Sequence, residues 1–113
     1  MDCIFCKIAA GQIPAKLVHE DAEVVAFRDI NPVAPTHILI IPREHIETVN
    51  DLEPGQAGMV GKLHLVAREL ARAEGLSERG YRLILNCGPE AGQAVFHIHL
   101  HLIGGRKMAW PPG

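Results

Sequence analysis

No stretch of this 113-residue chain approaches the roughly 20 apolar residues that a membrane-spanning helix needs, and Met1-Asp2-Cys3 lacks the basic-then-apolar opening of a signal peptide. A cytoplasmic location is therefore expected. Charge of one sign is also missing: 11 Lys and Arg stand against 13 Asp and Glu, a net of -2. That balance offers no field for wrapping nucleic acid or docking on an anionic membrane, so the expected partner is a small molecule. Three cysteines are too few for a disulfide scaffold, and a reducing compartment would keep them as thiols free to bind metal or pack in a core. There is no internal repeat, low-complexity tract or long linker. What remains is one compact domain over residues 1–113, with 48% hydrophobic residues for its core.

Pro and Gly punctuate the chain. Cys3 to Ala10 reads as a short helix closed off by Gly11 and Pro14. Leu17 to His19 and Glu23 to Arg28 read as two strands around the polar break Glu20-Asp21-Ala22, and His37 to Ile41 as a central strand covered on both faces. From Pro54 the apolar positions Met59, Leu63, Val66, Ala67 and Leu70 recur at threes and fours, which predicts one long helix. Pro54 suits its first turn and Gly75 its stop. Tyr81 to Asn86 and Val95 to Ile103 read as the last two strands. The fold class is α+β, a mostly antiparallel five-stranded sheet with one long helix and a short N-terminal one. A lone helix leaves much of such a sheet uncovered, so a two-fold homodimer is expected. Residues 105–113, with Trp110 among prolines, read as a C-terminal docking tail.

Seven histidines are present, and three fall in the run His97-Ile98-His99-Leu100-His101. On a strand these three imidazoles share one face, while Ile98, Leu100 and Leu102 share the other, which belongs to the core. A solvated histidine face is one reading. A second is a metal triad, with three protein ligands and a water on zinc. The third is a nucleophilic imidazole, which needs a free lone pair on one nitrogen and an acceptor holding the proton of the other. Cys3-Ile4-Phe5-Cys6 has the spacing of half a zinc site and lacks a βαβ context for redox chemistry.

The pattern His-φ-His-φ-His-φ-φ over His97 to Ile103 resembles the histidine-triad nucleotide-binding superfamily. The resemblance runs from Asp2-Cys3-Ile4-Phe5 through Phe27-Arg28-Asp29-Ile30, Pro35-Thr36-His37 and Gly92-Gln93 to Gly104-Gly105-Arg106. The ending Trp110-Pro111-Pro112-Gly113 is similar to the branch of purine nucleoside phosphoramidases. It implies that His99 attacks an α-phosphate and carries the nucleotidyl group until water removes it, with His101 and His37 as the other catalytic histidines. His101, Asn86 and the Gly92-Gln93-Ala94 turn would contact the phosphate, and Asp29 the ribose. Ile4, Phe5, Ile8, Phe27, Ile30 and Leu39 would form the base pocket, with Val95 beside the phosphate turn and Trp110 reaching toward a partner's site. The same resemblance implies that His45 and His97 join Cys3 and Cys6 around a structural zinc, with no metal needed for the phosphoryl chemistry. The implied substrates are purine nucleoside phosphoramidates, with diadenosine polyphosphate hydrolysis or a nucleotide-binding adaptor as alternatives. One departure stands out: Ala94 occupies a position where that branch usually has Ser, whose hydroxyl is thought to assist the leaving group.

Overall fold

A computed structural model describes residues 2–113. The elements run α1 (Ile4–Ala9), β1 (Leu17–Glu20), β2 (Val24–Arg28), β3 (Thr36–Pro42), 3-10 turns at Val49–Asp51 and Pro54–Gln56, α2 (Ala57–Ala73), β4 (Tyr81–Ile84) and β5 (Leu100–Gly104). The five strands form one antiparallel sheet in the order β1-β2-β3-β5-β4. This is the predicted α+β architecture. No described helix is long and apolar enough to cross a membrane.

Alternation divides the sheet into two faces with different work. Ile38 and Ile40 of β3 join Ala26, Leu100 and Leu102 on one face, where α2 lays down Leu63, Val66, Ala67 and Ala71, all buried. His37, Leu39 and Ile41 point the other way, toward Phe27, Val25 and the short α1 with its buried Phe5. The second face therefore carries the imidazoles, and α2 never touches them. Helix α2 ends as its sequence predicts. Gly75, at φ +75, lets its amide reach the Arg72 carbonyl (3.1 Å) and the Leu76 amide reach that of Ala71 (2.8 Å), which turns Leu76 into the core.

Three boundaries differ from the sequence reading by more than one residue. The α-helix begins at Ala57, because Pro54 opens a separate 3-10 turn ahead of it. Strand β4 stops at Ile84 instead of Asn86, and β5 begins at Leu100 instead of Val95. Register explains the last of these. Ile40 faces Leu100, so two residues on Pro42 would face Ile98, and proline has no amide hydrogen to continue the ladder. The Ile98 amide bonds the Ile46 carbonyl instead, at 2.8 Å.

One ion pair ties the layers together. The Arg28 guanidinium holds both carboxylate oxygens of Glu74 (2.8 and 3.1 Å), and the Thr36 hydroxyl donates to the same carboxylate at 3.2 Å. The Arg28 hydrogen bonds, working against burial, hold the Glu74 carboxyl below its usual range.

Candidate functional site

Four of the predicted residues converge at one end of the histidine face. The sulfur of Cys3 lies 3.4 Å from Nδ1 of His97, and that of Cys6 lies 3.4 Å from Nδ1 of His45 and 3.5 Å from Nδ1 of His97. The two ring nitrogens are 3.2 Å apart, and all four ligand atoms lie within 4.8 Å of one another. Zinc bonds of about 2.3 Å to sulfur and 2.0–2.1 Å to nitrogen give tetrahedral edges of about 3.6 Å for N–S pairs and about 3.4 Å for N–N pairs. The cluster fits that ion.

Protonation states agree with the geometry. The Pro42 carbonyl can only accept, so at 2.7 Å it fixes the His97 proton on Nε2 and leaves the Nδ1 lone pair facing the sulfurs. The Cys6 amide points at the Cys3 sulfur at 3.4 Å, a donor suited to a thiolate. Burial, then the neighbouring Cys3, pushes the Cys6 thiol up, and a bound cation would favour its thiolate.

The next imidazole along is differently arranged. Nδ1 of His99 lies 2.8 Å from the His97 backbone carbonyl and must donate to it. Its Nε2 therefore carries a lone pair. The ring is buried, with Phe5 edge-on at 5.0 Å and the His101 ring at 4.9 Å. Burial holds its pKa below that of an ordinary imidazole, against the opposing pull of the His97 carbonyl and of Asp29. His99 is neutral at pH 7, with its unshared pair on the ring atom away from the backbone.

A relay adjoins it. The Val33 amide donates to Nδ1 of His37 at 3.2 Å, so His37 carries its proton on Nε2. That proton points at Nδ1 of His101, 2.9 Å away, and the His101 proton is thereby placed on Nε2. Burial, then the proximity of His99 and His37, pushes His101 down to about 4. Asp29 reaches within 3.5 Å of His37 Nε2. Asp29, His37 and His101 could in principle hold a metal as well. Ligation through His37 Nε2 would put a proton on Nδ1, opposing the Val33 amide donor to donor. The arrangement suits proton positioning better than metal binding.

The remaining predicted residues are distributed as follows. Phe5, Phe27 and Leu39 are buried together, the two rings edge to face at 5.4 Å, with half-buried Ile8 against them. Ile4 lies at the surface, and Ile30 is 91% exposed at the rim. Asp29 accepts from the Asn31 amide at 2.8 Å, so its turn-forming and its site-facing roles coexist in one carboxylate. Asn86 and Val95 are half-buried, and Gly92 and Ala94 exposed. Trp110 is 82% exposed, although its tail is held by Arg82 to the Ala109 carbonyl (3.0 Å) and by Arg106 to the Val33 carbonyl (2.9 Å).

The Gln93 side chain is engaged within its own loop. Its buried amide accepts from the Gly88 amide (2.9 Å) and donates to the Glu47 (2.7 Å) and Val95 (3.2 Å) carbonyls. It thus shapes the 88–95 loop from within. Sequence reasoning missed the Arg28–Glu74 clamp behind Asp29 and the Val33 amide behind His37; neither leaves a spacing signal, since both depend on tertiary approach.

Clefts open at two places on the surface. One of about 440 Å³ runs past Ala94, Val95, Phe96, Ile4 and Glu47 beside the cysteine-histidine cluster. Another of about 690 Å³ lies on the α2 flank near His19, Asp21 and Lys62, on the side of the sheet away from the histidine row.

The HIT domain profile matches residues 10–108. This chain belongs to the HIT domain family. Among HIT relatives, it is 51% identical over 112 residues to the 14 kDa zinc-binding protein of Zea mays, covering 97% of this chain and 87% of that protein. The crystal structure of a HIT family hydrolase from Legionella pneumophila Philadelphia 1 superposes with a TM-score of 0.98 at 56% identity, covering 99% of this chain and 100% of that one. The histidine triad nucleotide-binding protein of Candida albicans gives 0.83 at 33% identity, covering 97% and 83%.

Proposed function

We propose that this chain is a cytosolic hydrolase that cleaves purine nucleoside phosphoramidates to a nucleoside monophosphate and an amine through a nucleotidyl-histidine on His99. The observation that carries this reading is the His97 carbonyl taking the Nδ1 proton of His99, which leaves Nε2 as the free nucleophilic atom. The Legionella relative is a HIT family hydrolase and the Candida relative a histidine triad nucleotide-binding protein, and both support this reading. Three free thiols suit a reducing compartment.

In the first half-reaction the Nε2 lone pair forms a bond to the α-phosphorus while the phosphorus–nitrogen bond to the amine breaks, its electron pair leaving with the nitrogen. The departing nitrogen takes a proton from solvent and leaves as the neutral amine. His101, with N–H on Nε2 and His37 behind Nδ1, is placed to stabilise charge on the phosphoryl oxygens and to position that proton. Water then adds to phosphorus and gives up a proton to solvent, the bond between phosphorus and His99 Nε2 breaks, and His99 recovers its lone pair. Asp29 accepts from the ribose hydroxyls, and the apolar group around Phe5, Phe27 and Leu39 backs the purine.

Cys3, Cys6, His45 and His97 would hold a zinc, whose role would be structural because four protein ligands leave no position for substrate. The similarity to the 14 kDa zinc-binding protein of maize supports this assignment. Elemental analysis should find one zinc per chain.

Mass spectrometry of protein quenched during turnover of an adenosine phosphoramidate tests the mechanism. A nucleotidyl adduct on His99 is expected, and its absence in His99→Ala. An adduct on any other residue defeats the assignment. Faster turnover of a diadenosine polyphosphate than of the phosphoramidate would replace the substrate class and keep the nucleophile.

A further inference from the structure

The nucleophile lies one residue outside the sheet. Strand β5 starts at Leu100, so His99 and the two residues before it have no ladder partner on β3. What holds this stretch is a small set of tethers, and most pass through His97. Its ring Nε2 is bonded to the Pro42 carbonyl at 2.7 Å, its ring Nδ1 faces the sulfurs of Cys3 and Cys6, and its backbone carbonyl holds the Nδ1 proton of His99 at 2.8 Å. The other backbone anchor is the Ile98 amide on the Ile46 carbonyl, one residue after His45 of the same cluster.

From this we infer that His97 couples the metal cluster to the nucleophile. With a metal in place, its ring is held at both nitrogens, and its carbonyl becomes a fixed acceptor that keeps His99 in the Nδ1–H form. Without one, the ring keeps only the Pro42 bond, and His45, Cys3 and Cys6 lose their reason to stay together. The peptide joining His97 to Ile98 can then tilt, and a weakened bond to Nδ1 lets the His99 proton move to Nε2, which removes the nucleophilic lone pair from the face where phosphorus sits. His97 is thus a positioning residue acting through its backbone. The inference rests on the proposed role of His99 as nucleophile, but its primary readout is a tautomer and needs no turnover.

The test uses full-length protein labelled with ¹⁵N in histidine, with long-range ¹H–¹⁵N imidazole spectra at pH 7 in zinc-loaded and chelated samples. The loaded protein should show His99 as a single Nδ1–H tautomer, and chelation should add the Nε2–H form. The kcat on a phosphoramidate should fall by about tenfold or more, the loss expected when a reacting group is misplaced at a distance, with AMP affinity little changed. Readdition of zinc alone should restore both signals. Cys6→Ser should reproduce the chelated spectrum, and Cys87→Ser, a thiol outside the cluster, should not. A His99 spectrum that stays Nδ1–H after zinc removal from folded protein overturns the coupling. So does global unfolding in both the chelated wild type and Cys6→Ser, since the metal would then hold the whole fold rather than this segment. Failure of the loaded protein to cleave phosphoramidates while the tautomer still responds would sink the substrate reading and leave the coupling standing.

Discussion

Three imidazoles of the histidine face each have one nitrogen fixed by a backbone group that cannot change its role: the Pro42 carbonyl for His97, the His97 carbonyl for His99 and the Val33 amide for His37. His101 is fixed in turn by His37. The spacing of two in the sequence already placed the three triad rings on one face, and it offered a nucleophile as one of three readings. It could not say where the protons sit, because the groups that decide this arrive from other elements. Burial, with His99 and His37 close by, lowers the His101 pKa to about 4, below its unfolded value of about 6.5. Between those two values the unfolded chain binds more protons than the folded one. Stability should therefore decline as pH falls from about 6.5 toward about 4 and level off in this contribution below that. Urea titrations at several pH values should show the decline, and His101→Gln should flatten it. Ala94 gives a second prediction at this scale. The position is exposed, so Ala94→Ser should fold normally. By supplying a hydroxyl donor near the leaving group it should raise phosphoramidate turnover by about tenfold, read as kcat. No change would mean that His101 or water already meets that need.

Among the elements, periodicity revealed α2 and all five strands. Their ends were less legible. A proline that lacks one amide hydrogen shortens β5 by five residues at its start, a consequence visible only once the register with β3 is known. Gly104 shows a different kind of constraint. A Cβ there would lie 2.6 Å from Cδ1 of Leu76, the residue that the end of α2 turns into the core. Gly104→Ala should destabilise the protein by about 1–3 kcal/mol. Because the obstructing atom is a methyl group, Gly104→Ala combined with Leu76→Val should lose less than the sum of the single losses, a coupling measurable by urea denaturation at constant m. The Arg28–Glu74 pair left no trace in the sequence, since the partners are 46 residues apart and each reads alone as a surface charge.

At the scale of the molecule, the chain ends its sheet with β1 on one side and β4 on the other, and each has an unpaired edge. The four residues of β4 are only half-buried, and Leu65, Phe96 and Trp110 are exposed at the surface. These features accord with the proposed two-fold dimer, which edge pairing and apolar contact would both favour. Sedimentation equilibrium should return twice the 12.3 kDa of the chain, and a monomer at micromolar concentration would remove the expectation that Trp110 serves a neighbour's site. The sequence suggested pairing only through the shortage of cover for the sheet. The Cys3/Cys6 pair and the alternating histidines were legible because each lies on a short motif, whereas His45 was reached only through the family resemblance.

The division of the sheet into a helix-covered face and an imidazole-bearing face also limits how the gene can drift in length. Losing or gaining a single codon between positions 37 and 41, or between 98 and 102, would exchange the two faces, burying rings beneath α2 and turning isoleucines toward the nucleotide. Length variation among functional descendants should accordingly be confined to the turns, with these two short segments kept at constant count however far their individual residues diverge.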